Sequence, residues 1–188
     1  FELLTLLAFI TFRSERCSWA VIETGIGGRL DATNIITPFC SVITPIESEH
    51  QDILGMTIEE IASEKGGIIK NGIPSVSADQ REAVLDVLKK KAESVSSDFT
   101  CLKDCALIKD ISLSEKGTSF RLEINDFSGS KDSPLPAKTG YSLVTSLHGS
   151  FQAENASLAV IAVRKALEKC ALFPGESEFA ESVRNGIA

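Results

Sequence analysis

Eleven residues, TGIGGRLDATN at positions 24–34, constrain the fold of this chain more than any other stretch. Three glycines within five residues weaken any helix or strand interior, so this is a loop. It is flanked by two short apolar runs, WAVIE (19–23) and FCSVITPI (39–46), each bounded by turn residues. Short apolar runs without alternation suit strands buried on both faces of a parallel sheet. Pro45 marks the end of the second run.

A helix follows at residues 57–65, opened by Thr57 with Glu60 three positions on, the capping-box spacing. Ile58, Ile61 and Ala62 fall on one face, and Gly66 and Gly67 close it. IPSVSA (73–78) reads as a third strand. Asp79 with Glu82 repeats the capping logic for a helix through about Ser94, with Val84, Leu85, Leu88 and Ala92 inward. Strand and helix in alternation predict an α/β layer fold. Upstream, residues 1 to about 14 read as a helix with a wide apolar face. It is too short to span a bilayer and is expected to be buried.

From about Phe99 the texture changes. CALIKDISL (105–113), TSFRLEI (118–124) and YSLVTSL (141–147) are strand-like runs separated by polar turns and the loop at 125–140, as in a small antiparallel meander. A helix from about Gly149 to Cys170 carries Ala156, Val160, Val163 and Ala166 near its inner stripe. Phe179, Val183 and Ile187 recur four apart in a last helix. These boundaries give one domain, with a parallel α/β core over about 1–98, a meander over about 99–149 and closing helices over about 150–188.

A net charge of -7 over 188 residues argues against a nucleic-acid partner, which needs clustered Lys and Arg. Five cysteines without CxxC spacing fit a reduced, cytoplasmic compartment, and no membrane partner is expected. Cys101 and Cys105 have no second Cys or His pair close in sequence with which to hold a metal.

Ligands of open parallel sheets collect outside the carboxyl ends of the strands. Glu23 closes the first apolar run, and Glu47, Glu49 and His50 follow the second. An acid and a neutral imidazole there suit Mg²⁺ or Mn²⁺ beside substrate phosphates. Spacing alone leaves the plainer alternative open, with Glu23 a strand-end charge and His50 a turn residue. Lys65 in a last helical turn is favoured by the helix dipole in any case. TGIGGR matches neither GxGxxG nor GxxxxGK[ST] and reads first as a turn. Gln152 and Asn155 lie near a helix amino end, where a nucleotide can be met.

Taken together, FELLTLLAF, AVIETGIGGRLDATN, SVITPIESEHQDILGMTIEEIASEKGGIIK and LHGSFQAENASLA resemble, in order, the folylpolyglutamate synthase and dihydrofolate synthase enzymes of the Mur ligase superfamily. The resemblance implies part of a P-loop-NTPase-like central ATPase domain, α/β with a mostly parallel sheet flanked by helices. It implies ATP-dependent ligation of L-glutamate to a folate or dihydropteroate carboxylate through an acyl phosphate. By the same resemblance Glu23 and His50 match Mg²⁺ ligands, and Lys65 matches a lysine that is carbamylated to engage a second metal. Phe1, Glu2, Leu30, Asp31 and Ala32 match positions around the pterin-bearing substrate, and Asn155, in the GxxQxxN motif with Gln152, a nucleotide contact.

This sequence departs from the family pattern in having no GKxS loop before Phe1 and no downstream arginine segment, and in carrying Phe151 where histidine is common. It therefore reads as a central piece whose partners include amino- and carboxy-terminal parts of the same polypeptide. Alone, it is expected to be inactive and to bind ATP weakly. A ligase of cell-wall peptide precursors is the neighbouring alternative, and a catalytically silent nucleotide-binding module the alternative from another class.

Overall fold

The computed structural model describes residues 1–125 and 139–187. A first helix, α1 (Glu2–Ser14), leads into an irregular stretch that carries the glycine loop and a short 3-10 turn, Ala32–Ile35. Then come β1 (Ser41–Ile43), α2 (Gln51–Leu54), α3 (Ile58–Gly66), β2 (Ser75–Ser77), α4 (Glu82–Ser94), β3 (Phe99–Cys101) and α5 (Leu102–Cys105). The chain closes with β4 (Ala106–Ser114), β5 (Gly117–Ile124), β6 (Thr139–Thr145), α6 (Phe151–Lys169) and α7 (Glu176–Ile187).

Two three-stranded sheets result. The first runs β1-β2-β3 with all strands parallel, Val42 opposite Val76 and Val76 opposite Thr100. The second is the meander β4-β5-β6, antiparallel throughout, with a register shift between Lys109 and Ser112. The α/β class with its antiparallel addition is as the sequence predicts. On one side of the parallel sheet, α3 and α4 bury Ile61, Ala62, Val84 and Leu88 against Ile43 and Ile46. On the other, α6 buries Ala153, Leu158 and Ile161 with Val76 and Ala78 of the parallel sheet and Phe120, Leu122 and Leu143 of the meander. One helix thereby glues the two sheets into a single layered body.

Five expectations change. WAVIE is not a strand, because among the described residues no strand lies beside it to satisfy its backbone; Val21 is 100% exposed. Helix α1 is not buried, and none of its residues is. Asp79 does not cap α4. Arg81 occupies the cap position without a side-chain bond, while Asp79 pairs with Lys103 at 3.1 Å. Phe99–Cys101 belongs to the parallel sheet, so the meander begins at Ala106. Val163, expected near the inner stripe of α6, is exposed. The capping box at Thr57 forms in both directions, and Val84, Leu85, Leu88 and Ala92 are buried as the spacing requires. Most of the loop read at 125–140, and Ala188, lie outside the described residues.

Candidate functional site

The glycine loop is held in shape by Asp31. Its Oδ2 accepts the N–H groups of Gly25 (3.0 Å) and Ile26 (3.1 Å), and its Oδ1 accepts the N–H (2.9 Å) and hydroxyl (2.6 Å) of Thr33. Partial burial pushes the carboxyl up, but these donors outweigh it and hold Asp31 below the ordinary 3.8. Asp31 thus organises the loop with its own acceptors, leaving Leu30, 79% exposed, as the neighbour that faces solvent. The Phe1 ring lies on the same loop, since a Cβ built on Gly25 would sit 2.7 Å from its Cζ. Glu2 is exposed, and Ala32 is half-buried at the start of the 3-10 turn.

The loop docks directly on the end of α3. A Cβ on Gly28 would come 2.8 Å and 2.9 Å from the carbonyl oxygens of Glu64 and Lys65, and one on Gly67 would come 2.5 Å from Cα of Arg29. No side chain fits between backbones this close, which is why glycine stands at both positions. The Arg29 N–H donates to the Glu64 carbonyl at 2.8 Å. Arg29 Nε and Nη2 both reach Glu64 Oε1, at 3.0 Å and 2.9 Å. Asn34 donates to the Gly67 carbonyl (3.2 Å), and Lys70 donates to that of Asn34 (2.8 Å). Gly27 would bring a Cβ within 2.8 Å of Leu54, at the end of α2.

Three segments far apart in sequence therefore meet at Gly27 and Gly28. They are the loop after Glu23, the short helix after His50 and the last turn of α3 with Lys65. Glu23 and His50 are exposed and Lys65 is half-buried. No hydrogen bond or ion pair joins these three side chains to one another or to a partner among the described residues. His50 adopts left-handed backbone angles (φ 51) as it enters α2. The acids of α3 that stand ready to neutralise Lys65 are engaged elsewhere: Glu64 by Arg29, and Glu60 by the N–H groups of Met56 (2.7 Å) and Thr57 (3.1 Å).

Gln152 and Asn155 sit on the first turns of α6 and bond each other, Asn155 Nδ2 donating to Gln152 Oε1 at 3.3 Å. Among the described residues no hydrogen bond links them to Lys65 or His50. Glu154 between them lines a cleft of about 380 Å³ with residues 45–47 and 79–81, outside the carboxyl ends of β1 and β2. That is where the topology of an open parallel sheet puts ligands. A smaller hollow of about 230 Å³ lies at the opposite strand ends. There Lys165 is held by Asp98 at 2.6 Å and Lys169 by the Gly72 carbonyl at 2.9 Å.

The cleft walls contain residues that sequence spacing does not single out. Gln80 splints the two strand ends, accepting the Ile46 N–H (2.9 Å) and donating to the Thr44 carbonyl (2.8 Å). Arg81 reaches Glu47 at 2.7 Å. Their one sequence signal is place, since DQR follows a buried strand as ESEH does. Cys101 and Cys105 are buried and free, and burial pushes the Cys105 thiol up to about 12, so that it stays protonated near neutral pH.

The chain matches the Mur ligase middle domain over residues 2–163. It is 37% identical over 163 residues to the dihydrofolate synthase/folylpolyglutamate synthase of Bacillus subtilis, covering 86% of this chain and 35% of that protein. A folylpolyglutamate synthase solved with AMPPCP and folate superimposes with a TM-score of 0.84 at 31% identity, over 98% of this chain and 42% of its own. The folylpolyglutamate synthase of Thermotoga maritima matches with a TM-score of 0.75 at 32% identity, over 100% of this chain and 38% of its own. The chain thus spans about a third of the length of its curated relative. A family match that runs through most of the chain, together with solved structures that superimpose over nearly all of it, places this chain in the Mur ligase family, as a middle domain.

Proposed function

We propose that this chain is the central part of an ATP-dependent ligase that joins L-glutamate to the carboxylate of a folate or dihydropteroate. The observation that carries the reading is the junction at Gly28. It brings the glycine loop, the end of α2 at Leu54 and the last turn of α3 together, and the residues read here as metal-facing, Glu23, His50 and Lys65, lie on those three segments. Relatives named for this reaction support it.

The chemistry has two balanced steps. The carboxylate oxygen of the pterin substrate attacks the γ-phosphorus of ATP, forming an acyl phosphate as the bond to ADP breaks. The glutamate amine then attacks the acyl carbon, the amide forms, and phosphate and a proton depart. Phosphoryl transfer of this kind depends mainly on positioning and charge neutralisation.

The donor set fits magnesium. Among the described residues no three His, Cys, Asp or Glu side chains form a ready cage. Magnesium asks for less, commonly one or two carboxylates with waters and substrate phosphates filling its octahedron. Glu23 and His50, both exposed and unpaired, would hold one ion, and bound magnesium would neutralise the phosphate oxygens. Among the described residues Lys65 pairs with no carboxylate. Its neutral amine can add to CO₂, forming an N–C bond and releasing a proton, which turns a cation into a carboxylate-like ligand for a second ion. Leu30 and Phe1 offer apolar surface to the pterin, and Gln152 and Asn155 offer amides to the nucleotide.

Glutamate-dependent ADP release with dihydropteroate or tetrahydrofolate tests this, using a polypeptide of the relatives' full length that carries this chain. Release with either pterin, lost in Lys65→Ala, is the expected result. Release with neither overturns the reading and leaves a silent nucleotide-binding module.

A further inference from the structure

We propose that Arg29 is a positioning residue which, through Glu64, fixes the distance between the pterin-facing loop and the metal- and phosphate-facing end of α3. The inference rests on the ligase reading above. The loop is a rigid unit, because Asp31 ties Gly25, Ile26 and Thr33 together. The end of α3 is held as well, since Gly66 is buried and the Gly67 N–H closes on the Glu64 carbonyl at 3.2 Å. Among the described residues what joins them is narrow: the Gly28 and Gly67 contacts, the Arg29 N–H, the Asn34 amide, the Lys70 ammonium on the Asn34 carbonyl and the Arg29 side chain.

Of these, the Arg29–Glu64 pair alone joins the two elements side chain to side chain, and both of its bonds converge on one oxygen. Leu30 follows Arg29 directly, and Lys65 follows Glu64 directly. A shift at this seam therefore moves the substrate carboxylate relative to the phosphate it must attack. Reacting atoms have to be held about 3–3.5 Å apart, and a displacement of about 1 Å costs on the order of 100-fold in rate. The pair itself is half in solvent, 56% and 25% exposed, where ion pairs contribute little to stability. Its purpose is therefore geometric rather than to hold the fold, since the glycine contacts and backbone bonds remain without it.

The test uses the same full-length polypeptide, with Arg29→Gln, Glu64→Ala and the double variant. Each single variant is expected to melt as the unaltered protein does and to bind the pterin alone within about threefold. Each is expected to lose about 10- to 100-fold in kcat, with KM for the pterin rising by no more than the affinity that bound nucleotide adds. Calorimetry supplies a readout besides turnover, because the gain in pterin affinity on adding Mg²⁺ and AMPPCP should fall toward none in both. The double variant should be no worse than either single, because the two residues act as one joint. Unchanged kcat and unchanged gain in Arg29→Gln, or additive losses in the double variant, overturn the proposal. If the unaltered protein releases no ADP with any pterin, the ligase reading has failed, and this inference falls with it.

Discussion

Asp31 shows how one side chain sets a loop. A carboxylate that accepts two backbone N–H groups on one oxygen, and an N–H and a hydroxyl on the other, prefers to stay ionised. Its value in the folded chain lies below the ordinary 3.8, so its contribution is present above pH 3.8 and is lost as the pH falls through the lower folded value. Acid titration followed by amide exchange at Gly25 and Ile26 should therefore show a loop steady from neutral pH down to about the ordinary carboxylate value, opening only below it. Asp31→Ala removes the acceptors at every pH and is expected to cost about 1–2 kcal/mol in urea unfolding. Loop amides already exchanging freely at pH 6 would contradict this. The carboxylate is thereby assigned to shaping the loop, while Leu30 beside it presents the exposed surface. In the sequence only the resemblance singles out Asp31, because four acceptor bonds closing over residues 25–33 have no linear signature.

At the scale of elements, what the sequence predicts correctly is what depends on neighbours along the chain. The capping box at Thr57 is local, and both of its halves form, with Glu60 returning to the Thr57 N–H at 3.1 Å and Thr57 Oγ1 accepting from Glu60 N–H at 3.2 Å. Thr57→Ala is expected to cost about 1 kcal/mol, read as a lower urea midpoint with an unchanged slope. The α4 stripe and the three meander strands are equally local signals, and they too appear where their periodicity puts them. Asp79 and Glu82 have capping-box spacing and yet form none, because Lys103, over twenty positions away, takes the Asp79 carboxylate. WAVIE has strand composition but no strand beside it, and composition cannot provide a hydrogen-bonding partner. Phe99–Cys101 is counted with the meander rather than with the parallel sheet for the same reason, since three residues become a strand through pairing with β2 rather than through any pattern of their own.

At the scale of the molecule, the described residues leave one surface that their own core does not explain. Helix α1 buries nothing, and Leu3, Leu4 and Leu7 are 76%, 70% and 57% exposed. Trp19 and Phe39 stack on each other at 5.6 Å, but each is about half in solvent. Contiguous apolar surface of this kind is usually covered in a working protein. The same region carries Glu23 on a stretch that no strand pairs with among the described residues, so the acid proposed for magnesium has no ladder beside it there. The 188 residues match only 35–42% of the length of two relatives, and a cover supplied within a chain of that length would order α1 and Glu23 together. Two measurements follow from this coupling. The 188-residue chain by itself is expected to release no ADP with glutamate and either pterin. Amides of α1 should exchange fast in it and at least 100-fold more slowly when the segment replaces the matching part of the Bacillus subtilis relative, as on closing a site worth about 3 kcal/mol. Turnover by the short chain, or α1 amides that exchange equally fast in both settings, would show that Glu23 needs no outside support. Ordering that appears in the chimaera without turnover would instead separate covering the surface from completing the site, and would assign the missing chemistry to residues beyond this middle domain.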